Sequence, residues 1–309
     1  MTSIQEQLER TRPVADRAAA TVPDSRSRFI SLRSSDGKPD GVLAHAHVMK
    51  TAGQTICDIL RQSFPGDHCD LQGRHVATMA DLRLAARFYP RLKSIASHCV
   101  VPAGDLAAVG DWFRFFTFLR DPVRRCASHY QFVRRRTKTS LDFDTWLEDN
   151  ANYQTRFFAR EANADQAIEV LDGLVGFVGL VERFNESLLL LRRWSREPAL
   201  DIHYRSRNMA KDNRIKKELL ADPQVVAKIR EHHAEDYKLY GYVCDVVYPR
   251  QVRQYGPLLE ADMAALESRL PARRTASLAR TLASAKRNLL YKPIARRLIK
   301  RRAAVPRGD

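Results

Sequence analysis

Apolar residues along this chain fall into short continuous runs, separated by stretches with helical spacing. "GVLAHAHV" at 41–48 is the first run, and it enters a turn containing Gly53. "TICDILRQSF" follows with Ile56, Ile59 and Leu60 on one helical face, so the region reads as strand, loop, helix. "SIASHCVV" (94–101) predicts a buried strand, and the aromatic "FRFFTFL" (113–119) a central one. At "RDP", Asp121 suits a helix N-cap and Pro122 the first helical position, with the helix running through "VRRCASHYQFVRRR". "LVGFVGL" (174–180) predicts a further strand, "ERFNESLLLLRRW" a helix and "DIHY" (201–204) a short strand. A long helix is expected from Gln224 to Tyr240. Apolar strands alternating with amphipathic helices predict an α/β fold: three layers, with a central, mostly parallel sheet flanked by helices. No fixed-period repeat is visible.

Composition divides the chain further. Residues 1–40 form a polar N-terminal arm with Pro13, Pro23 and Pro39, residues 41–250 form the α/β domain, and residues 251–309 form a basic helical tail. The net charge is +16 over 309 residues, yet Pro271–Asp309 alone holds twelve Lys/Arg against one acid. A tail of this kind predicts an anionic partner surface. Leu278, Leu282, Ala285 and Leu289 fall on one helical stripe, and Pro293 is expected to kink or interrupt the helix. Two readings of the tail stay open: a solvated charge run, and an in-plane helix on anionic lipid. Nucleic acid is disfavoured, because Tyr291 is the lone aromatic of residues 271–309 and stacking needs more.

The five cysteines are scattered without metal or redox spacing, and buried or free thiols in a reducing compartment are expected. No signal-like or membrane-spanning apolar segment is present. The chain therefore reads as cytoplasmic, and as peripheral on the inner membrane face under the lipid reading of its tail.

The candidate chemistry begins at "HVMKTAGQTI" (47–56). Beyond the carboxyl end of a parallel strand, loop amides and a helix N-terminus favour an anion. Gly53 lets the backbone come close, Lys50 adds a point charge, and Thr51 and Thr55 offer hydroxyls. The lysine precedes the glycine, so the Walker A pattern and its magnesium logic do not fit. A solvated lysine in an ordinary strand–helix turn is the bland alternative. "FRFFTFLRDPVRRCASHYQFVRR" (113–135) adds Arg120 at a strand end, able to clamp a phosphate, and Ser128 two helical turns on.

Together these stretches resemble the PAPS-dependent sulfotransferases. "HVMKTAGQTI" is similar to their 5′-phosphosulfate loop, and "FTFLRDPVRRCASHY" to their 3′-phosphate element, an Arg followed by a Ser eight residues on. "GFVGLVERFNESLLLLRRW" and "AEDYKLYGYV" resemble later segments of the carbohydrate branch that includes heparan sulfate 2-O-sulfotransferase and bacterial family 2 proteins. The resemblance spans residues 42–245. It departs from the usual loop at Met49, where proline is common, and at Gln54–Thr55, where Thr–Ser is common.

The resemblance implies a P-loop-like version of the three-layer fold, with 41–250 as a sulfotransferase domain. It implies PAPS (3′-phosphoadenosine 5′-phosphosulfate) as sulfuryl donor, no metal, and a glycan or glycolipid hydroxyl as acceptor. Lys50, Thr51, Ala52, Gly53, Gln54, Thr55, Arg120 and Ser128 become the cofactor-binding set. Lys50 is the candidate for stabilising the leaving group, and His98 is the preferred general base. His45, His47, His75 and His129 are rival bases, and a satisfied core histidine is the alternative for His98. Arg156 and Arg160 in "NYQTRFFAR" read equally as acceptor contacts or solvated charges. "YRSRNMAKDNRIKK" (204–217) is a basic loop suited to close over a nucleotide. Two rivals stand beside this reading. An ATP-dependent kinase would have no 3′-phosphate for Arg120 and Ser128 to meet, and a non-catalytic basic adaptor would bind membranes or polyanions alone.

Overall fold

The run at 41–48 becomes the central strand of a five-stranded sheet. In the computed structural model, described over residues 41–102, 104–137, 141–204, 213–270 and 277–304, the strands are β1 (Val42–Ala46), β2 (His68–Asp70), β3 (Ser94–Ser97), β4 (Phe113–Leu119) and β5 (Val175–Leu180). Their spatial order is β2-β3-β1-β4-β5, and every pairing is parallel. Successive side chains alternate between the faces of a strand, yet all of β1 and all but Arg114 of β4 are buried. Both faces of the sheet are therefore covered, as expected for an α/β protein.

The helices are α1 (Gly53–Ser63), α2 (Met79–Phe88), α3 (Pro122–Arg134), α4 (Phe143–Asp149), α5 (Tyr153–Ala159), α6 (Ala164–Leu174), α7 (Phe184–Ser195), α8 (Arg214–Ala221), α9 (Pro223–His232), α10 (Ala234–Tyr242), α11 (Tyr248–Tyr255), α12 (Leu259–Glu267), α13 (Leu278–Ala285) and α14 (Lys292–Ala304). Asp121 caps α3 as expected, its carboxylate accepting the Arg124 amide at 2.8 Å, with Pro122 in the first turn.

Several elements differ from the sequence expectation. β2 carries no apolar run, since two of its three residues are His68 and Asp70. "SIASHCVV" is strand only to Ser97, because the Val100 amide turns back onto the Ser97 carbonyl at 3.3 Å. "DIHY" forms no strand: His203 bonds to Asp201 at 2.8 Å rather than to a neighbouring strand. The long helix is divided at His233, whose backbone leaves helical geometry and whose buried Nδ1 accepts the Asn152 amide at 3.0 Å. A proline crowds the carbonyl four residues back. Before Pro249 and Pro293 the chain widens into π-turns, Val243–Val247 and Lys286–Tyr291, so the interruption expected at Pro293 is absorbed and α14 continues.

An exposed sheet edge invites unwanted pairing, and both edges here are covered. At β5, Gln251 of α11 donates to the Val178 carbonyl at 2.8 Å and accepts its amide at 3.0 Å. Beside β2, the fully buried Tyr291 packs edge-on against Phe88 and Tyr89, and its hydroxyl accepts the Gln72 amide at 3.1 Å. Asp70 of β2 meets Arg61 at 2.7 Å and both Arg287 and Lys292 at 3.4 Å. No helix among the described residues is long and apolar enough to cross a membrane.

Candidate active site

β1 and β4 are direct neighbours, with Ala46 opposite Thr117, so the loops beyond their carboxyl ends emerge side by side. In the first loop Lys50 (φ 70°) and Ala52 (φ 62°) are left-handed, whereas Thr51 between them is not. Such alternation turns successive amides toward one side, the geometry of an anion nest. Each left-handed non-glycine residue costs about 1–2 kcal/mol, so the loop holds its shape against a local preference. Thr51 is buried and donates its hydroxyl to the Val48 carbonyl at 2.8 Å, which leaves its amide as what it offers a ligand. α1 begins at Gly53 with no side-chain cap, Gln54 is exposed, and Thr55 is buried in the first turn. Uncapped first-turn amides at a positive dipole end suit an anion.

Arg120 joins this loop to the second one. Its Nη1 donates to the Lys50 carbonyl at 3.2 Å, while its Nε has no hydrogen-bond partner among the described residues and lies 4.0 Å from Glu182. Gln154 of α5 fixes the Arg120 backbone from both sides, accepting its amide at 3.0 Å and donating to its carbonyl at 2.9 Å. Ser128, half-buried on α3, makes no hydrogen bond among the described residues. Behind it the fully buried Arg125 lies 4.7 Å over the Tyr153 ring, with no hydrogen bond to its three guanidinium nitrogens among the described residues. Lys50 itself sits 4.6 Å over the Phe132 ring.

The electrostatics of this corner are one-sided. Burial, then Arg120 and Lys216, hold the Lys50 pKa below its ordinary value. Burial, then Arg120 and Arg124, do the same to Lys216. His129 is lowered to about 3, by burial first and then by Arg125 and Lys50. Cations that depress one another's charge mark a place where a bound anion is favoured.

His98 stands in the turn after β3 and is exposed. Its Nδ1 bonds the His47 carbonyl at 2.8 Å, which requires a hydrogen on Nδ1 and leaves the Nε2 lone pair available. Partial desolvation lowers its pKa, against a raising effect of the His47 hydrogen bond. His47 packs 4.0 Å from His98, and His45 stacks on both His47 (5.1 Å) and Phe116 (5.0 Å). His45 and His47 thus point into packing, and neither His45 ring nitrogen has a hydrogen-bond partner among the described residues. His75 is exposed, and His129 lies in an aromatic nest with Trp146 and Tyr153. His45, His47 and Cys57 bring one potential ligand atom each within 4.8 Å of one another, and burial raises the Cys57 thiol to about 12.

Lys50 and Arg120, chosen from sequence, are therefore brought into contact, with Ser128 on the adjoining helix and His98 on the turn that receives the β1 loop's carbonyl. Arg156 and Arg160 are exposed on α5, and Arg156 turns toward the Asp149 carbonyl. Their neighbours Tyr153 and Gln154 reach the site instead. Of the basic loop 204–217, residues 205–212 lie outside the described residues, while Lys216 joins the cationic group. A separate cavity of about 1040 Å³ opens between α7, α11 and α12 and shares no residue with this site.

Fold and site define a P-loop-like α/β protein with a cationic cradle where two strand–helix junctions meet. No family model matches the chain, and no curated protein matches it. Among solved structures, a sulfotransferase from Alicyclobacillus acidocaldarius is similar over 64% of this chain and 95% of that one, at 14% sequence identity and a TM-score of 0.37. At that level of likeness, function is argued from the site alone.

Proposed function

We propose that the protein transfers a sulfuryl group from PAPS to a hydroxyl of a glycan or glycolipid. The observation that carries this reading is the Arg120–Lys50 contact at 3.2 Å, which makes one cradle of two loops that each suit a phosphate. The residues fit the donor: guanidinium nitrogens without hydrogen bonds among the described residues, a nest of amides, and lysines depressed by burial and by neighbouring cations all call for a polyanion. Lys50, the amides of Thr51–Gln54 and the Thr55 hydroxyl would hold the 5′-phosphosulfate, and Arg120 with Ser128 the 3′-phosphate. When bound, PAPS supplies an activated sulfuryl group whose leaving group is a phosphate.

The chain's own residues then act on charge and protons. His98 Nε2 accepts the proton of the attacking hydroxyl as oxygen bonds to sulfur. Lys50 stabilises the negative charge left on the departing phosphate oxygen as the old sulfur–oxygen bond breaks. The products are a sulfate ester and 3′-phosphoadenosine 5′-phosphate. The test is incubation with labelled PAPS and a panel of polysaccharide and glycolipid acceptors, read by mass spectrometry. Labelled sulfate on an acceptor, absent with Lys50→Ala, supports the reading. Phosphate transfer from ATP by the same preparation, with no sulfate transfer, would replace it with the kinase reading.

A further inference from the structure

We propose that the outer face of the tail helices is a docking surface for an anionic lipid bilayer. The tail is fastened to the body by its polar side, which is unusual for an amphipathic helix. Lys286 donates to the Gly66 carbonyl at 2.9 Å, Arg287 and Lys292 face Asp70, Arg296 donates to Gln72 at 3.3 Å, and Arg302 pairs with Asp81 at 2.9 Å. Tyr291 and Ala295, one turn apart, are the buried side. The leucine stripe is consequently turned away from the protein: Leu278 is 76% exposed, Leu282 60% and Leu289 73%.

The stripe continues through Leu290, within the π-turn, and Ile294 beyond it, both also exposed. Three and then four residues on, the same face carries Arg297 and Arg301, both exposed. The outer face is thus apolar along its first half and cationic along its second. From Leu278 to Arg302 the sequence has nine Lys/Arg and no acid. Apolar side chains that can enter the acyl boundary, followed by cations at headgroup level, match an anionic membrane surface. A second copy of this chain would instead bring two such cationic faces together, which like-charge repulsion opposes. The tail also runs from Gly66, before β2, to Asp81, beyond it, so the surface ends on the side of the sheet where the His98 turn lies.

The test uses the full chain and co-sedimentation with vesicles of phosphatidylcholine alone or with phosphatidylglycerol. Binding should be at least about tenfold stronger to the anionic vesicles and weaken as salt rises, because the attraction acts within a Debye length. Leu282→Ser with Leu289→Ser should lose that binding while keeping the parent melting temperature, since both positions are exposed. Arg297→Glu with Arg301→Glu should lose the preference for anionic vesicles. Equal binding to both vesicle types, or undiminished binding by the leucine variant, would overturn the proposal. So would a leucine-dependent dimer in solution without vesicle binding, which would assign the face to a second copy.

Discussion

A Cβ added to Gly53 would lie 1.8 Å from His47 Nε2, so the imidazole that supports His98 occupies the space only a glycine leaves. The glycine at the start of α1 therefore serves two purposes. It admits the ring stacked between His45 and His98, and under the proposed function it lets the backbone approach the donor.

Gly53→Ala should accordingly destabilise the fold by about 1–3 kcal/mol, as overpacking does when neighbours cannot yield. His47→Ala makes room for the new methyl, so the double variant should lose less than the two single losses added together. Urea unfolding of the four proteins measures this. Strict additivity would mean that the ring and the glycine are not coupled.

Ala52→Gly should behave oppositely to most Ala→Gly changes. Ala52 is held at φ 62°, and glycine reaches that geometry without a Cβ penalty. Relief of about 1 kcal/mol sets against the greater freedom of glycine in the unfolded chain, so stability should be unchanged or slightly higher. A loss above about 1 kcal/mol in chemical denaturation would show that the loop is not strained there.

Acid should destabilise the protein early. His45 is held near 3 by burial, then by the neighbouring charges of His98 and His68, against an ordinary 6.5. Above 6.5 both folded and unfolded states are neutral at this ring. Below it the unfolded chain takes up a proton that the native core refuses, so stability falls as pH drops from 6.5 toward 3. The slope is about 1.4 kcal/mol per pH unit for each such histidine. His45→Phe should remove one proton's worth of slope between pH 6 and 4.5, above the range where carboxylates contribute most. An unchanged slope would mean that His45 is protonated in the fold.

The catalytic limb has its own sign. His98 has a lowered pKa in the free protein, so its base form fills at lower pH than an ordinary imidazole. The kcat/KM for sulfate transfer should rise with pH to a plateau, with a midpoint below 6.5. His98→Ala should abolish that limb and lower kcat by roughly 10²–10⁴ with nucleotide affinity retained. A limb that survives in the variant would move the role to another group.

How much of this was legible in the sequence follows from chain distance. Lys50, Gly53 and Arg120 each sit within a short linear pattern, and each pattern lies at the end of an apolar run that names its strand. Gln154, which clasps the Arg120 backbone across 34 residues, and Arg125, whose guanidinium lies over Tyr153, lie inside quoted stretches, but nothing in the linear pattern singles them out. Only packing brings them in. The tail shows the same division: periodicity placed Leu278, Leu282, Ala285 and Leu289 on one face, but Tyr291 decided that this face would turn outward. β2 escaped notice because its pairing with β3, rather than its own hydrophobicity, makes it a strand.

Under the proposed function, Arg120 meets a 3′-phosphate beside a 5′-phosphosulfate held by the Lys50 loop. Titration calorimetry of 3′-phosphoadenosine 5′-phosphate and of adenosine 5′-phosphosulfate, against the parent protein and Arg120→Ala, tests it most directly. The substitution should weaken the first ligand by about 1.5–3 kcal/mol, the range of a hydrogen bond to a charged group, and leave the second nearly unchanged. Equal weakening of both ligands, or no preference of the parent protein for the 3′-phosphorylated one, would contradict the assignment.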